Sequence, residues 1–380
     1  MKILVFNWQD IKNPLGGGAE VHFNEIFSRI VKRGHDVTLF CSSFDHAPSQ
    51  EIVNGIKVIR KGGRNLFNFH VPIQYWKHFR HEKYDVVIDD MNKIPFFTPI
   101  YIKEPLYFII HHLFDKSIFR EAPLPLALYV YLMEKLGVSI CRRSKIPLMV
   151  VSPSTKSEMI QKGFREQDIE FAYNCVDHST HHPLGITRSE TPLIGYFGRL
   201  KKYKSIDHFL RAASIVKKKY PDLKLIIIGE GDHKKNLESL SHELGIFKDV
   251  QFTGYVDENE KIKLLQRVWF VVNTSSKEGW GLTVIEANAC GTTVVGSNVP
   301  GLRDAIKDGE TGLLFEYGNI NELVDKITSL LQDSLHREKL SKAAYTWSKT
   351  FDWDIVAEHV INLLERRIES RASAHTDRVL

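Results

Sequence analysis

Cysteine is scarce in this chain, and the few cysteines present follow no pattern. Cys41, Cys141, Cys175 and Cys290 are scattered along 380 residues, without a CxxC pair or a His/Cys metal spacing. Free, buried thiols in a reducing compartment are therefore expected. Long uncharged apolar runs are lacking, and Met1 to Phe6 leads directly into a strand pattern rather than a signal peptide. A cytoplasmic protein is the expectation. Repeats and low-complexity blocks are missing too. So are G-x-G-x-x-G and a P-loop lysine, which removes the usual NAD and ATP motifs. Charge of one sign hardly accumulates: 51 Lys and Arg against 46 Asp and Glu give +5. That balance suits nucleotides, phosphates or an acidic surface and does not point to nucleic acid. What is present, at 43% hydrophobic and 26% charged, is an ordinary globular composition. The length exceeds what one core supports, so two domains are expected.

Short apolar runs alternate with longer helical patterns, the signature of an α/β chain with parallel sheets. Strands are predicted at 3–7, 36–41, 56–60, 85–89, 106–111, 148–152 and 169–173, then at 193–197, 223–228, 250–252, 269–273, 293–296 and 312–315. Between the two series lies 177–192, polar, with two prolines and no apolar period, the best linker. Two Rossmann-like domains with a cleft between them follow, with ligands beyond the carboxyl ends of the strands. The segment 61–83 interleaves Lys61, Arg64, Lys77, Arg80 and Lys83 with Phe67, Phe69, Tyr75, Trp76 and Phe79. It reads either as a surface for an anionic bilayer or as an amphipathic helix covering the sheet. The polar, aperiodic tail 369–380 reads as frayed.

The most informative element runs from Glu278 through Gly279, Trp280, Gly281 and Leu282 to Glu286. An apolar strand breaks through glycines into a helix, whose free N–H groups would face a phosphate or diphosphate. Carboxylates repel such an anion, so Glu278 and Glu286 fit better as acceptors from hydroxyls. A diphosphate flanked by hydroxyls is a nucleotide sugar. Arg199 and Lys204 follow the first strand of the second half and pair a planar donor fork with a compact charge, a clamp for that diphosphate. Gly16, Gly17, Gly18 and Glu20 follow the first strand of the chain, where the backbone can approach a ligand at a helix N-terminus. His111 and His112 close a further strand, where an imidazole can donate a hydrogen bond and titrate near neutrality. Asp89-Asp90 and Asp352-Trp-Asp354 are rejected as metal carboxylates, the latter fitting a helix N-cap.

Together these residues resemble the retaining glycosyltransferases of family 4, of the GT-B fold, over nearly the full length. The resemblance rests on EGWGLTVIEANACGTTVVGSNVPG, an E-x7-E element, with GRLKKYK, IIGEGDHKKNLE, GGGAE and VSPSTKSEM in support. It implies an acceptor-binding domain at 1–180, rejoined by a C-terminal helix at 354–380, and a nucleotide-sugar-binding domain at 181–353. Arg199 and Lys204 would hold the donor diphosphate, and Glu278 the transferred sugar. Gly279, Trp280, Gly281 and Leu282 would present backbone N–H groups, and Glu286 would bind the ribose. Tyr255 and Val256 would seat the base. His111, or else His112, matches the family histidine, and Gly17 and Gly18 would lie near the donor phosphate and the acceptor. The implied reaction moves a hexose from a UDP- or GDP-sugar to a saccharide or lipid-linked acceptor, without cofactor or metal. A nucleotide-sugar epimerase, a phosphorylase and a non-catalytic binding subunit are the alternatives. Four positions depart from the family: Ser205 and Cys175 replace glycines, and Pro300-Gly301 with Asp304 replaces Gly-Gly and Glu.

Overall fold

The computed structural model describes residues 1–63, 66–91, 94–120 and 122–376. They form two compact units, Met1–Asn174 with the chain from Trp353 onward, and Cys175–Asp352.

The first unit is built on eight strands: β1 (Lys2–Phe6), β2 (Asp36–Cys41), β3 (Gln50–Val53), β4 (Ile56–Arg60), β5 (Val86–Met91), β6 (Leu106–Ile110), β7 (Leu148–Val150) and β8 (Ile169–Phe171). Their order is β3-β4-β2-β1-β5-β6-β7-β8. Runs such as LYFII in β6 are buried throughout, as a parallel sheet covered on both faces requires. β3 was not foreseen, and it pairs antiparallel with β4. Asn54 and Gly55, both at positive φ, connect them. β1 is the strand from which the order runs in opposite directions, so the glycine turn that follows it lies at the switch point of the sheet.

The helix Gly18–Lys32 buries His22, Phe23, Ile26, Phe27 and Ile30 at helical spacing. Against it packs the last helix, Trp353–Thr376. That helix buries Ala357, Val360, Ile361 and Leu364. Arg29 and Arg33 hold its start through Asp354, at 3.4 and 3.1 Å. The tail expected to be frayed is thus helical as far as Thr376, and Arg371 donates to the Glu104 carbonyl.

The segment 61–83 contains the helix Phe67–Lys77, which covers the sheet. Phe67 and Tyr75, with Phe79 just beyond, join the core, while Phe69 and Trp76 are exposed. Arg64 lies outside the described residues. A longer helix, Leu124–Ser144, was not anticipated and is long and apolar enough to cross a membrane by length and composition.

The second unit holds β9 (Leu193–Phe197), β10 (Lys224–Ile228), β11 (Val250–Gly254), β12 (Phe270–Asn273), β13 (Val294–Ser297) and β14 (Gly312–Phe315). All pairs are parallel, in the order β11-β10-β9-β12-β13-β14. Here β9 is the switch strand. The stretch 177–192, expected as a linker, lies within this unit. Arg188 donates to the Gly291 carbonyl at 2.7 Å, and the Trp269 indole donates to the Ser189 carbonyl at 2.8 Å.

Candidate active site

In the second unit, Gly198 and Arg199 leave the carboxyl end of β9 at the switch point. Their backbone course requires glycine elsewhere. A Cβ on Gly229 would come within 2.1 Å of the Gly198 carbonyl oxygen, and one on Gly231 within 2.1 Å of that of Leu200. The Leu200 N–H bonds the Glu230 carbonyl at 2.8 Å, locking the two loops together. Arg199 remains exposed and makes no ion pair among the described residues.

A short 3-10 turn, Lys202–Lys204, then carries Lys204 inward, against Glu278. Lys204 Nζ bonds Glu278 Oε1, which also accepts from Ser275 Oγ at 2.7 Å. Both side chains are nearly buried, at 13% and 14% exposure. Burial pulls the Lys204 ammonium toward neutrality, but the Glu278 carboxylate outweighs that and holds its pKa above the ordinary value. Thr274 Oγ1 donates to the Lys204 carbonyl at 3.1 Å, and the Ser276 N–H donates to that of Tyr203 at 2.8 Å. Gly301, at φ +82°, allows the approach of the Glu278 segment, since a Cβ there would lie 2.4 Å from the Glu278 carbonyl oxygen.

Three residues after Glu278, Gly281 adopts a left-handed conformation and caps the helix Leu282–Ala289 without a side-chain bond. Backbone N–H groups at such an uncapped start favour an anion. Trp280 is buried, its ring 4.9 Å from that of Phe351, so its side chain belongs to the core. Glu286 lies on this helix and pairs with Lys261 at 3.2 Å. Lys261 also bonds Glu258 at 2.8 Å, and His181 Nε2 lies 2.8 Å from the same carboxylate. Burial pushes Glu258 up, but His181 and Lys261 prevail and bring it down to about 2. His181, Glu258 and Glu286 could gather round a metal by distance alone. Lys261 already supplies the positive charge to both carboxylates. Tyr255 stands out at 80% exposure, with Val256 half-buried beside it.

The first unit holds a second polar cluster. Gly17 caps the helix Gly18–Lys32, and its N–H donates to Glu20 Oε2 at 2.6 Å. A Cβ on Gly18 would meet nothing within 4 Å, so the backbone there is open to a ligand. His111 Nε2 lies 3.0 Å from Asp90 Oδ1, and Asn7 Nδ2 bonds Asp90 Oδ2 at 2.9 Å. The His22 ring stands edge-on to that of His111, 4.9 Å between centroids. Burial pushes His111 down to about 4, and burial with the neighbouring His111 pushes His22 down to about 3. His111 is therefore neutral near neutrality, which corrects the expected titration there. His112 is half-buried, its ring against Phe114. Asp90, set aside in the sequence with Asp89, proves to be the partner of His111. Its signal was its place at the end of β5, alongside β6. Asp89 bonds Thr98 Oγ1 at 2.6 Å, and burial raises its carboxyl to about 7.

Ser205, where the family has glycine, adopts φ +48°, so the family's glycine answers a left-handed backbone that serine here accepts. Cys175 is buried and is not among the described residues at positive φ, so no such demand falls on it.

Residues 16–180 match the family Glycosyltransferase Family 4, and residues 182–347 match Glycosyl transferases group 1. An uncharacterized glycosyltransferase of Methanocaldococcus jannaschii is 25% identical over 97% of this chain and 99% of its own. Among solved structures, sucrose-phosphate synthase from Thermosynechococcus elongatus superposes with a TM-score of 0.81 at 17% identity, over 97% of this chain and 100% of that one. Anabaena HepE in complex with UDP-glucose gives 0.75 at 19% identity, over 96% and 100%. With both halves matched and the fold shared across the chain, the protein belongs to the family 4 type of glycosyltransferases of the GT-B fold.

Proposed function

We propose that the protein moves a hexose from a nucleoside diphosphate sugar to a saccharide or lipid-linked acceptor, with retention and without a metal. The observation that carries this reading is the Lys204–Glu278 pair beside the uncapped start of the helix Leu282–Ala289. The pair offers a cation for phosphate and a carboxylate for hydroxyls within one bond of each other. A donor entering there exchanges their mutual contact for its own.

In this mechanism the bond from the anomeric carbon to the diphosphate oxygen breaks, and its electron pair leaves with the diphosphate. Arg199, Lys204 and the backbone N–H groups from Gly279 to Leu282 stabilise that charge by preorganised electrostatics. The acceptor hydroxyl attacks the face the diphosphate leaves, and its proton passes to the departing phosphate oxygen. Glu278 orients the sugar, Glu286 takes the ribose diol, and the backbone at Tyr255 and Val256 seats the base. The first unit binds the acceptor beyond β1, past Gly17 and Gly18. UDP-glucose is the donor to try first, because HepE binds it within the same fold. Four buried, unbridged cysteines fit a cytoplasmic site of action.

The test supplies UDP- and GDP-sugars with a panel of saccharide and lipid-linked acceptors and follows nucleotide release. Acceptor-dependent release from one donor, with the product anomer retained by NMR, is the expected result. Turnover that survives both Arg199→Ala and Glu278→Ala would sink the residue assignments. Donor conversion without acceptor would indicate an epimerase.

A further inference from the structure

The helix Leu124–Ser144 buries one face and exposes another of unusual composition. At about 100° per residue, Ala127, Val130, Glu134, Val138 and Cys141 fall in one arc, and all are buried in the first unit. The opposite arc carries Leu124, Leu128, Leu132 and Leu136, at 70%, 47%, 50% and 50% exposure. Lys135, Arg142 and Arg143 continue the same arc toward the helix C-terminus, all exposed. The only acidic residue of the helix is Glu134. Its carboxylate is turned inward and accepts the N–H groups of Phe114 and Asp115 at 2.7 and 2.8 Å. The exposed face is thus apolar at one end, cationic at the other, and free of negative charge.

A helix anchored in this way cannot cross a bilayer, because its buried arc and Glu134 are committed to the protein. It can lie on one. The neighbouring helix Phe67–Lys77, joined to it by Asn68 Nδ2 and Tyr129 Oη at 3.1 Å, adds a second stripe. Phe69, Ile73 and Trp76 are exposed there at helical spacing, with the Arg80 guanidinium 4.8 Å from the Trp76 ring.

We propose that the helix Leu124–Ser144 docks flat on an anionic lipid surface. Its leucines enter the boundary between headgroups and acyl chains, and Lys135, Arg142 and Arg143 meet the lipid phosphates. Charge complementarity selects this occupant, since an apolar protein partner would gain nothing from three exposed cations beside the leucines. The proposal stands independently of the donor and acceptor assigned above.

The full-length protein is sedimented with vesicles of phosphatidylcholine alone and of phosphatidylcholine with phosphatidylglycerol. Wild-type protein is expected to partition to the anionic vesicles and to lose them as salt is raised. Leu128→Ser/Leu132→Ser and Arg142→Glu/Arg143→Glu are each expected to lower that partition on the order of tenfold. Ile215→Ser, at another exposed apolar position, is expected to leave it unchanged. The variant side chains are exposed, so unaltered thermal unfolding confirms that the fold is intact. Equal partition to both vesicle types, or leucine variants that bind as wild type, would overturn the proposal. So would a wild-type dimer that the leucine variant converts to monomers, which would make the face a contact between copies.

Discussion

Lys204 and Glu278 form a nearly buried pair on which both the stability of the second unit and the proposed chemistry depend. Removing one partner of a nearly buried pair leaves the other charge without compensation, at a cost of about 3 kcal/mol. Removing both replaces the pair with packing and costs less. Glu278→Ala is therefore expected to destabilise the second unit more than the double change Lys204→Met/Glu278→Leu, by urea unfolding. Both variants should be inactive. A double variant at least as unstable as Glu278→Ala would mean that the two side chains do not couple. Little of this pair is legible in the sequence, where 74 residues separate the two. Their types and motifs are visible, and roles for phosphate and sugar follow from charge. Their mutual contact follows only from the way β9 and β12 bring their loops together. Ser205 shows the reverse case: its departure from glycine is plain in the sequence, and its left-handed backbone is the physical reason the position matters.

Among the elements, β5, the end of β6 and the helix Gly18–Lys32 carry buried titratable groups with an acid-sensitive balance. His22 and His111 have pKa values lowered to about 3 and about 4, so their contribution is present above about pH 6.5, the unfolded value, and is lost as pH falls through the folded ones. Asp89 is raised to about 7 and acts in the opposite sense, with stability present in acid and lost as pH rises through that value. Between about pH 4 and 6.5 the unfolded state gains two protons on the histidines, and the folded state holds one on Asp89. Acidification across that window should therefore lower the unfolding temperature of the first unit, and Asp89→Asn should steepen the fall. An identical pH slope in the variant would remove Asp89 from the balance. The strands that carry these groups are legible because buried parallel strands are nearly continuous apolar runs, and β2, β4, β9 and β14 match their expected bounds. β3 was missed because QEIV offers a four-residue edge with little apolar signal. The Asn54-Gly55 turn, a strong hairpin marker between two strands, was the clue that could have supplied it. The apolar arc of Leu124–Ser144 is hidden in the sequence for another reason: charges at Glu134 and Lys135 interrupt the run in sequence but not on the helix face.

On the scale of the whole molecule, the chain leaves its first unit at Asn174 and returns to it at Trp353. The last helix is thus made after the second unit but belongs to the first. Two cores, one around Phe6, Phe40 and Phe108 and another around Phe209, Phe270 and Phe315, have the means to unfold separately. Val360 is fully buried in the returning helix. Val360→Asp places a charge where the helix Gly18–Lys32 packs, and should destabilise the first unit by several kcal/mol. The donor site assigned here lies in the second unit, so nucleotide should still bind the variant. Bound nucleotide at a hundredfold excess over its Kd should add about 2.7 kcal/mol to that unit. Calorimetry of Val360→Asp is accordingly expected to show one transition lowered and a second that UDP still raises. If UDP instead raises only the lowered transition, the nucleotide site belongs to the first unit and the donor assignment to Arg199, Lys204, Glu278 and Glu286 fails.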